Sequence, residues 1–555
     1  MDDVKPTDTV ITRLRHWSIT SPDKPAFIYA TPGGTRLEFT RAQLYSLSCR
    51  AATWLCGKGV GRGDVVLCIL PSSPEELFLV MGAVLLGATT VTYSIVFADG
   101  RDVINLMNLS DVTTIAVDAR DENSISILKK HVPDLAEGKV ACDAVPSLSN
   151  VVFCNKDAWN SRPSFLDDVA TQIEAAPVDC QPDDVVVLWP TSGSTGFCKV
   201  VPRTHRDVLL IGQQSVEAFG ARPGETVHNP AGFGWISGYP TQYLAVGITR
   251  VVLISSGSPT QDRSKLLWDF LCQEQPTAGF FKPSDIEALM SGGGPACRQG
   301  AWRARVMGTG SRPIKRKDLA GVLGVLTSEI RVVYGSTEAG FNLYKSYTDV
   351  SQVEDFNCGQ TFLGQEVKVV DSDLQEVPVN TKGHVIVRNG AIFSAYLKQP
   401  EQTREMKAEG GWYRTGDGAY RNQNGDVFVV GRESDVIMIN GQILYPQQLE
   451  QELSGFDGVT DVAIVGIPDE EVFNRPCICV VRDKQATGAE PVSSEDILRQ
   501  CGAAFNQSLL GSSKEWASAP PKYCLFFDAF PFSRNGKLQR KLLRQKVLER
   551  LGIAE

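Results

Sequence analysis

The chain has 555 residues, 43% of them apolar, and 64 acidic against 55 basic side chains give it a net charge of −9. That length exceeds what one hydrophobic core fills, so two or more domains are expected, and the apolar share is enough to pack them. The mild charge, with no basic block or basic-aromatic stripe, argues against a nucleic-acid partner.

In chain order, strand-like runs alternate with helix-sized segments over roughly the first 350 residues. The runs are Val65–Leu70, Ala88–Tyr93, Thr113–Val117, Val185–Trp189, Thr249–Ile254 and Ile330–Gly335. This alternation predicts an α/β protein with helices packed on sheets. Leu77–Phe97 is apolar for almost a bilayer span, but Gly82, Gly87 and a change to Thr/Val-rich texture mark a buried helix followed by a strand. After Val350 the texture turns to short strands, and Asn424-Gly425 between two of them predicts a hairpin. From Val436 a smaller α/β unit is expected, with Val462–Ile467 and Cys477–Arg482 as strands and a cationic helix at Lys541–Arg550.

The cysteines are scattered and form no CxxC pair. Cys477 and Cys479, two apart in an apolar run, belong on one face of a strand as packed thiols, and free thiols fit a reducing compartment. MDDVKPTDTV at the start reads neither as a signal nor as a transit peptide, and LGIAE at the end carries no peroxisomal or prenylation signal. A cytoplasmic location without a transmembrane segment is the expectation.

Thr191-Ser192-Gly193-Ser194-Thr195-Gly196-Phe197-Cys198-Lys199 follows directly on the strand Val185–Trp189. A chain leaving a buried strand through Gly, Ser and Thr wraps N–H and O–H groups around an anion, and Lys199 adds charge. The lysine stands three positions after the last glycine, which departs from the GxxxxGK[ST] spacing of kinases and GTPases.

Four further segments follow in order: YGSTE (Tyr334–Glu338), YRTGD (Tyr413–Asp417), GRESDVIMINGQILYPQQLE (Gly431–Glu450) and PFSRNGKLQR (Pro531–Arg540). With the glycine-rich loop they make the chain resemble the adenylate-forming superfamily of acyl-CoA ligases, peptide-synthetase adenylation domains and firefly-type luciferases. The resemblance implies an α/β fold with a large N-terminal domain (1–434, of which about 351–434 is a small β-barrel-like subdomain). A mobile α+β C-terminal domain (435–555) would turn about a hinge at Asp435. It also implies ATP, Mg²⁺ and coenzyme A, and a two-step reaction through an acyl-adenylate.

By the same resemblance, Thr191, Ser192, Gly193, Ser194, Thr195, Gly196 and Lys199 hold the β- and γ-phosphates, and Tyr334, Gly335 and Ser336 line the nucleotide. Glu338 binds Mg²⁺, Thr337 bonds the α-phosphate, Asp417 and Arg432 take the ribose, and Gly310, within Met307–Pro313, lies beside adenine. Lys537 bridges the incoming carboxylate and the α-phosphate, and Gly441 lines a narrow tunnel for the thiol arm.

The acyl pocket is expected around Phe233, Gly234, Trp235, Gly238 and Tyr239, with Gly335 and Gly340 beside it. Asn229–Thr249 carries aromatic residues and glycines and no formal charge. Domains of the superfamily that activate α-amino acids place an aspartate where Gly234 stands, so a medium-chain fatty or aryl acid is expected. Trp235 and Tyr239, four apart, would share one helix face and wall the pocket. Cys198, Gly234, Met438 and Phe473 depart from the superfamily's usual proline, histidine, lysine and glycine. Coenzyme A is the expected acceptor. A separate carrier protein, a luciferase-like oxidation and a non-catalytic acyl or nucleotide sensor are the alternatives.

Overall fold

A computed structural model of the chain describes all residues except 1–3, 96–98, 134, 136–137, 155–164, 192–197, 255–262, 291–300, 315, 363, 440–441, 455, 457, 483–491, 508–519, 533–537 and 554–555. The chain divides into two compact units, Met1–Val367 with Val387–Tyr413, and Lys368–Ile386 with Arg414–Glu555. Each combines helices with sheets, the larger unit N-terminal and the smaller C-terminal, as the alternating sequence pattern predicts.

Among the described residues two large sheets lie in the larger unit. In the seven-stranded sheet the order is Gly138–Lys139, Asn150–Cys154, Thr114–Asp118, Val65–Ile69, Thr89–Thr92, Val185–Thr191 and Lys199–Thr204. Its central strands are parallel, and at one edge Val185–Thr191 turns back antiparallel into Lys199–Thr204. The nine-stranded sheet repeats the plan: a parallel centre and, towards one edge, Thr327–Ser336 turning back into Gly340–Tyr347. Parallel strands of this kind are buried on both faces, which is why the runs read as near-continuous Val, Ile and Leu.

Local chemistry sets the elements. Helix Pro74–Leu85 starts where the Ser73 hydroxyl accepts from the Glu76 N–H, with Pro74 in the first turn. Gly82 lets this helix lie against Arg41–Gly57, since a Cβ there would come within 2.9 Å of the Ala51 Cβ. Leu77–Phe97 therefore begins as a helix and continues in the strand Thr89–Thr92. Among the described residues no helix is long and apolar enough to cross a membrane. Helix His205–Phe219 opens on a capping box between Thr204 and Asp207 and stops at Gly220, whose φ of 68° a side chain disfavours.

In the smaller unit, residues of strand Trp412–Arg421 pair antiparallel with Val427–Arg432, and Gly425 turns the hairpin at φ 85°. Strands Val459–Asp469, Phe473–Arg482 and Tyr523–Phe527 form a three-stranded sheet. Side chains alternate across it: Ile464, Ile478 and Val480 enter one core, Val465, Cys477 and Cys479 the other. The expected cationic helix is Arg540–Leu551.

Candidate active site

Two edge hairpins, one from each large sheet, carry the chemistry-bearing segments of the larger unit. In the first, Thr191 pairs with Lys199 across the strands; Ser192, Gly193, Ser194, Thr195 and Gly196 lie outside the described residues. In the second, Tyr334 pairs with Leu343 and Ser336 with Gly340, so Thr337 and Glu338 fall in the turn. The turn is tight: Gly340 has φ 70°, and a Cβ there would collide with the side-chain amide oxygen of Gln214, which accepts from the Phe341 N–H. A Cβ on Gly335 would collide in turn with the Gly340 carbonyl.

The two hairpins are tied together by residues that the sequence reading does not single out. Arg203, four residues after Lys199 on the first hairpin, is 0% exposed. Its guanidinium donates to the Ala391 carbonyl at 2.7 Å and to the Thr337 carbonyl. Burial lowers its pKa, while Asp207 and Glu338 favour the charged form. The segment following Val387 wraps the turn from the other side: Asn389 donates to the Ala339 carbonyl at 2.8 Å, and the Phe393 N–H to the Glu338 carbonyl at 2.8 Å. The Glu338 carboxylate, on a residue 9% exposed, accepts from the Tyr396 hydroxyl at 2.8 Å. The Lys199 ammonium sits 4.5 Å from the centroid of the same tyrosine ring. An arginine at an inward-facing strand position and the aromatic pair Phe393 and Tyr396 were the available signals; both look ordinary in sequence.

Glu338 is a single carboxylate, and among the described residues no group of three or more His, Cys, Asp or Glu is placed to hold a metal ion. That suits Mg²⁺ held mainly by phosphate oxygens and water, which takes one or two protein carboxylates, and does not suit an all-protein metal cage. The Ser336 hydroxyl is buried with no hydrogen-bond partner among the described residues, leaving a donor for a ligand oxygen. Gly310 ends the strand Ala304–Gly310 so close to Val333 that a Cβ would strike its carbonyl oxygen, and Ser311 follows at φ 73°.

In the smaller unit Asp417 and Arg432 face each other in register, with Arg432 Nε 3.6 Å from the Asp417 carboxylate. The Asp417 N–H donates to the Thr415 hydroxyl at 3.1 Å. Asp435 lies 3.5 Å from Arg540, which also binds the Glu450 carboxylate through both terminal nitrogens, at 2.5 and 3.0 Å. Gly441 and Lys537 lie outside the described residues; Phe532 and Leu538, flanking Lys537, pair as an antiparallel bridge. Met438 sits in the short strand Ile437–Ile439, and its carbonyl accepts from Asn474 at 3.3 Å.

Asn229–Pro240 corrects the expected helix. It is a series of turns, and helix begins only at Thr241–Val246. One i to i+4 bond survives, from the Tyr239 N–H to the Trp235 carbonyl at 2.9 Å. Glycines at 232, 234 and 238 make the helix costly, and tertiary bonds replace its ladder. Arg250 donates to the carbonyls of Asn229, Ala231 and Gly238. The Phe233 N–H donates to Glu76 at 3.2 Å, and its carbonyl accepts from the Trp189 indole at 3.2 Å. Tyr239 is 2% exposed and packs against Trp189 and Phe233, at 5.8 Å from each ring, while Trp235 is half-buried against the same cluster.

Gly234 lies on the Thr92 carbonyl, where a Cβ would collide with backbone, so a side chain here requires the backbone to shift. Gly234→Ala is accordingly expected to lose about 1–3 kcal/mol in urea unfolding as the turn or the strand Thr89–Thr92 shifts. Unchanged stability would show that the segment yields freely.

Glu76 is wholly buried beneath this segment, and burial pushes its carboxyl up to about 8, against the opposing pull of the Phe233 N–H and Arg250. The folded protein therefore holds a proton there that the unfolded chain releases above its ordinary value of 4.5. Stability from this group is greatest below that value and is lost as pH rises towards about 8. Glu76→Gln should flatten the decline by up to about 1.4 kcal/mol per pH unit, read from urea unfolding across the window. An identical slope in the variant would remove Glu76 as its source.

The fold is one shared with solved enzyme structures. Over 99% of both chains it matches an anthranilate CoA ligase in complex with anthranoyl-AMP, with a TM-score of 0.80 at 19% identity. Over 97% of this chain and 99% of the other it matches ATP-bound MatB from Rhodopseudomonas palustris, at 0.77 and 21% identity. The family model of AMP-binding enzymes matches residues 14–397, and the chain belongs to that family. Its curated relatives include a 3-hydroxybenzoate–CoA/4-hydroxybenzoate–CoA ligase of Thauera aromatica, 26% identical over 92% of each chain. A long-chain-fatty-acid–CoA ligase of Mycobacterium tuberculosis is 24% identical over 96% of this chain and 97% of its own.

Proposed function

We propose that this enzyme is an ATP-dependent, AMP-forming acid–thiol ligase that activates an apolar carboxylic acid, medium-chain fatty or aryl, and transfers the acyl group to coenzyme A. The observation that carries this reading is the meeting of the two edge hairpins, which brings Lys199 and Glu338 to the two sides of one tyrosine. A cation and a carboxylate so placed suit a metal-bound triphosphate. Relatives named as CoA ligases for hydroxybenzoates and long-chain fatty acids support the acid classes.

In the first half-reaction a substrate carboxylate oxygen bonds to the α-phosphorus as the bond to pyrophosphate breaks. Lys199 and the loop 192–197 would take the charge that develops on the leaving pyrophosphate, and Thr337 would bond an α-phosphate oxygen. Glu338 would hold Mg²⁺, which would supply neutralisation of phosphate charge when bound. Asp417, opposite Arg432, would accept from the ribose hydroxyls, and Lys537 would bridge the two reacting anions. In the second half-reaction the thiolate attacks the acyl carbon and AMP leaves with the electron pair. The smaller domain would turn about Asp435 between the halves, admitting the thiol past Gly441. The described cysteines are free thiols, which supports a cytoplasmic setting.

The test is a panel of short to long aliphatic, aryl and amino acids with Mg-ATP, each with and without coenzyme A, followed by pyrophosphate release and product mass. The expected result is one acid class giving continuous turnover and an acyl-CoA. A single burst that coenzyme A does not relieve would move the acceptor to a carrier protein or oxygen, and no release with any acid despite bound ATP would favour a sensor.

A further inference from the structure

Resting on the nucleotide-site reading above, one residue stands between its two charged groups. Tyr396 is 3% exposed and is held from several sides. Its N–H donates to the Thr403 hydroxyl at 2.9 Å, its ring packs 4.6 Å from Phe393, and the N–H of Leu397 next to it bonds the Val200 carbonyl on the strand that carries Lys199, also at 2.9 Å. The side chain thus has little freedom. Its face receives the Lys199 ammonium and its hydroxyl donates to the Glu338 carboxylate.

A lysine and a glutamate facing one polar pocket tend to close into an ion pair, and a metal–triphosphate entering that pocket must first break it. Among the described residues no ion pair joins Lys199 to Glu338; the tyrosine satisfies each charge separately, the cation on the electron-rich face and the anion on the O–H. We propose that Tyr396 is a positioning residue that acts as a spacer, keeping Lys199 and Glu338 apart so that each stays available to a metal-bound triphosphate with no ion pair to break.

The test measures Mg-ATP binding by titration calorimetry, without acid or turnover. Tyr396→Leu removes the spacer and is expected to weaken binding about tenfold, while Tyr396→Phe keeps the ring face and stays within about threefold of the parent. The collapse requires Glu338, so in a Glu338→Gln background the same leucine substitution should cost no more than about twofold. A purely structural role would give equal losses in both backgrounds, and that result would overturn the proposal. Parent-like binding by Tyr396→Leu, or an equal loss in Tyr396→Phe and Tyr396→Leu, would overturn it as well. Tyr396→Met, which fills more of the volume, replaces the leucine variant in the cycle if thermal melts show that the latter does not fold. Parent-like binding by both Lys199→Ala and Glu338→Gln would instead overturn the nucleotide-site reading, and this inference with it.

Discussion

Lys537→Ala is expected to slow acyl-adenylate formation by roughly 10²- to 10³-fold while leaving transfer from a preformed adenylate to coenzyme A near its original rate. In the first half-reaction two anions, the carboxylate and the α-phosphate, must approach to bonding distance, and an ammonium between them offsets a repulsion that rises steeply in a water-poor site. In the second half-reaction the attacking atom is a thiolate and the phosphate is leaving, so the same cation has no task there. Single-turnover assays started from acid plus ATP, or from synthetic acyl-adenylate plus coenzyme A, separate the two steps. Equal loss in both would assign Lys537 to folding or to general nucleotide affinity.

Arg203→Met is expected to cost about 2–4 kcal/mol of stability and to depress adenylation in the protein that remains folded. The methionine keeps most of the stem volume but leaves the carbonyls of Thr337 and Ala391 buried without their donor. One of those carbonyls belongs to the turn that carries Glu338, so the loss reaches, through the backbone, the carboxylate proposed to hold Mg²⁺. Arg203→Lys should recover only part of it, because an ammonium does not present the planar fork that spans two carbonyls. Urea unfolding combined with Mg-ATP titration separates the two effects. A methionine variant as stable as the parent would show that the turn is held by Asn389 and Phe393 alone.

Arg203 also shows where reading the sequence stops. In KVVPRT it resembles any strand arginine, and the alternation that turns Val201 and Arg203 inward is visible only if a cation is allowed at a core position. Glu76 has the same difficulty: in the first turn of a helix an acid is expected for its effect on the helix dipole, whereas here it is sealed beneath Phe233. Buried charges and surface charges are the same letters. The turns at Asn229–Pro240 look helical in sequence because the spacing of Trp235 and Tyr239 is a true helical repeat, while the bonds from Arg250 that replace the helix come from outside the segment.

The sequence by itself determined the α/β class, most strand positions, the Asn424-Gly425 hairpin, and the order of motifs that places the chain among adenylate-forming enzymes. Those signals are local: side-chain alternation, glycines where φ must be positive, and short runs of fixed spacing. The tertiary structure alone decided that the Thr191/Lys199 and Ser336/Gly340 hairpins, from different sheets, are tied through Arg203 and share Tyr396. Which sheet edges meet depends on contacts between residues more than a hundred positions apart, and no local pattern records them.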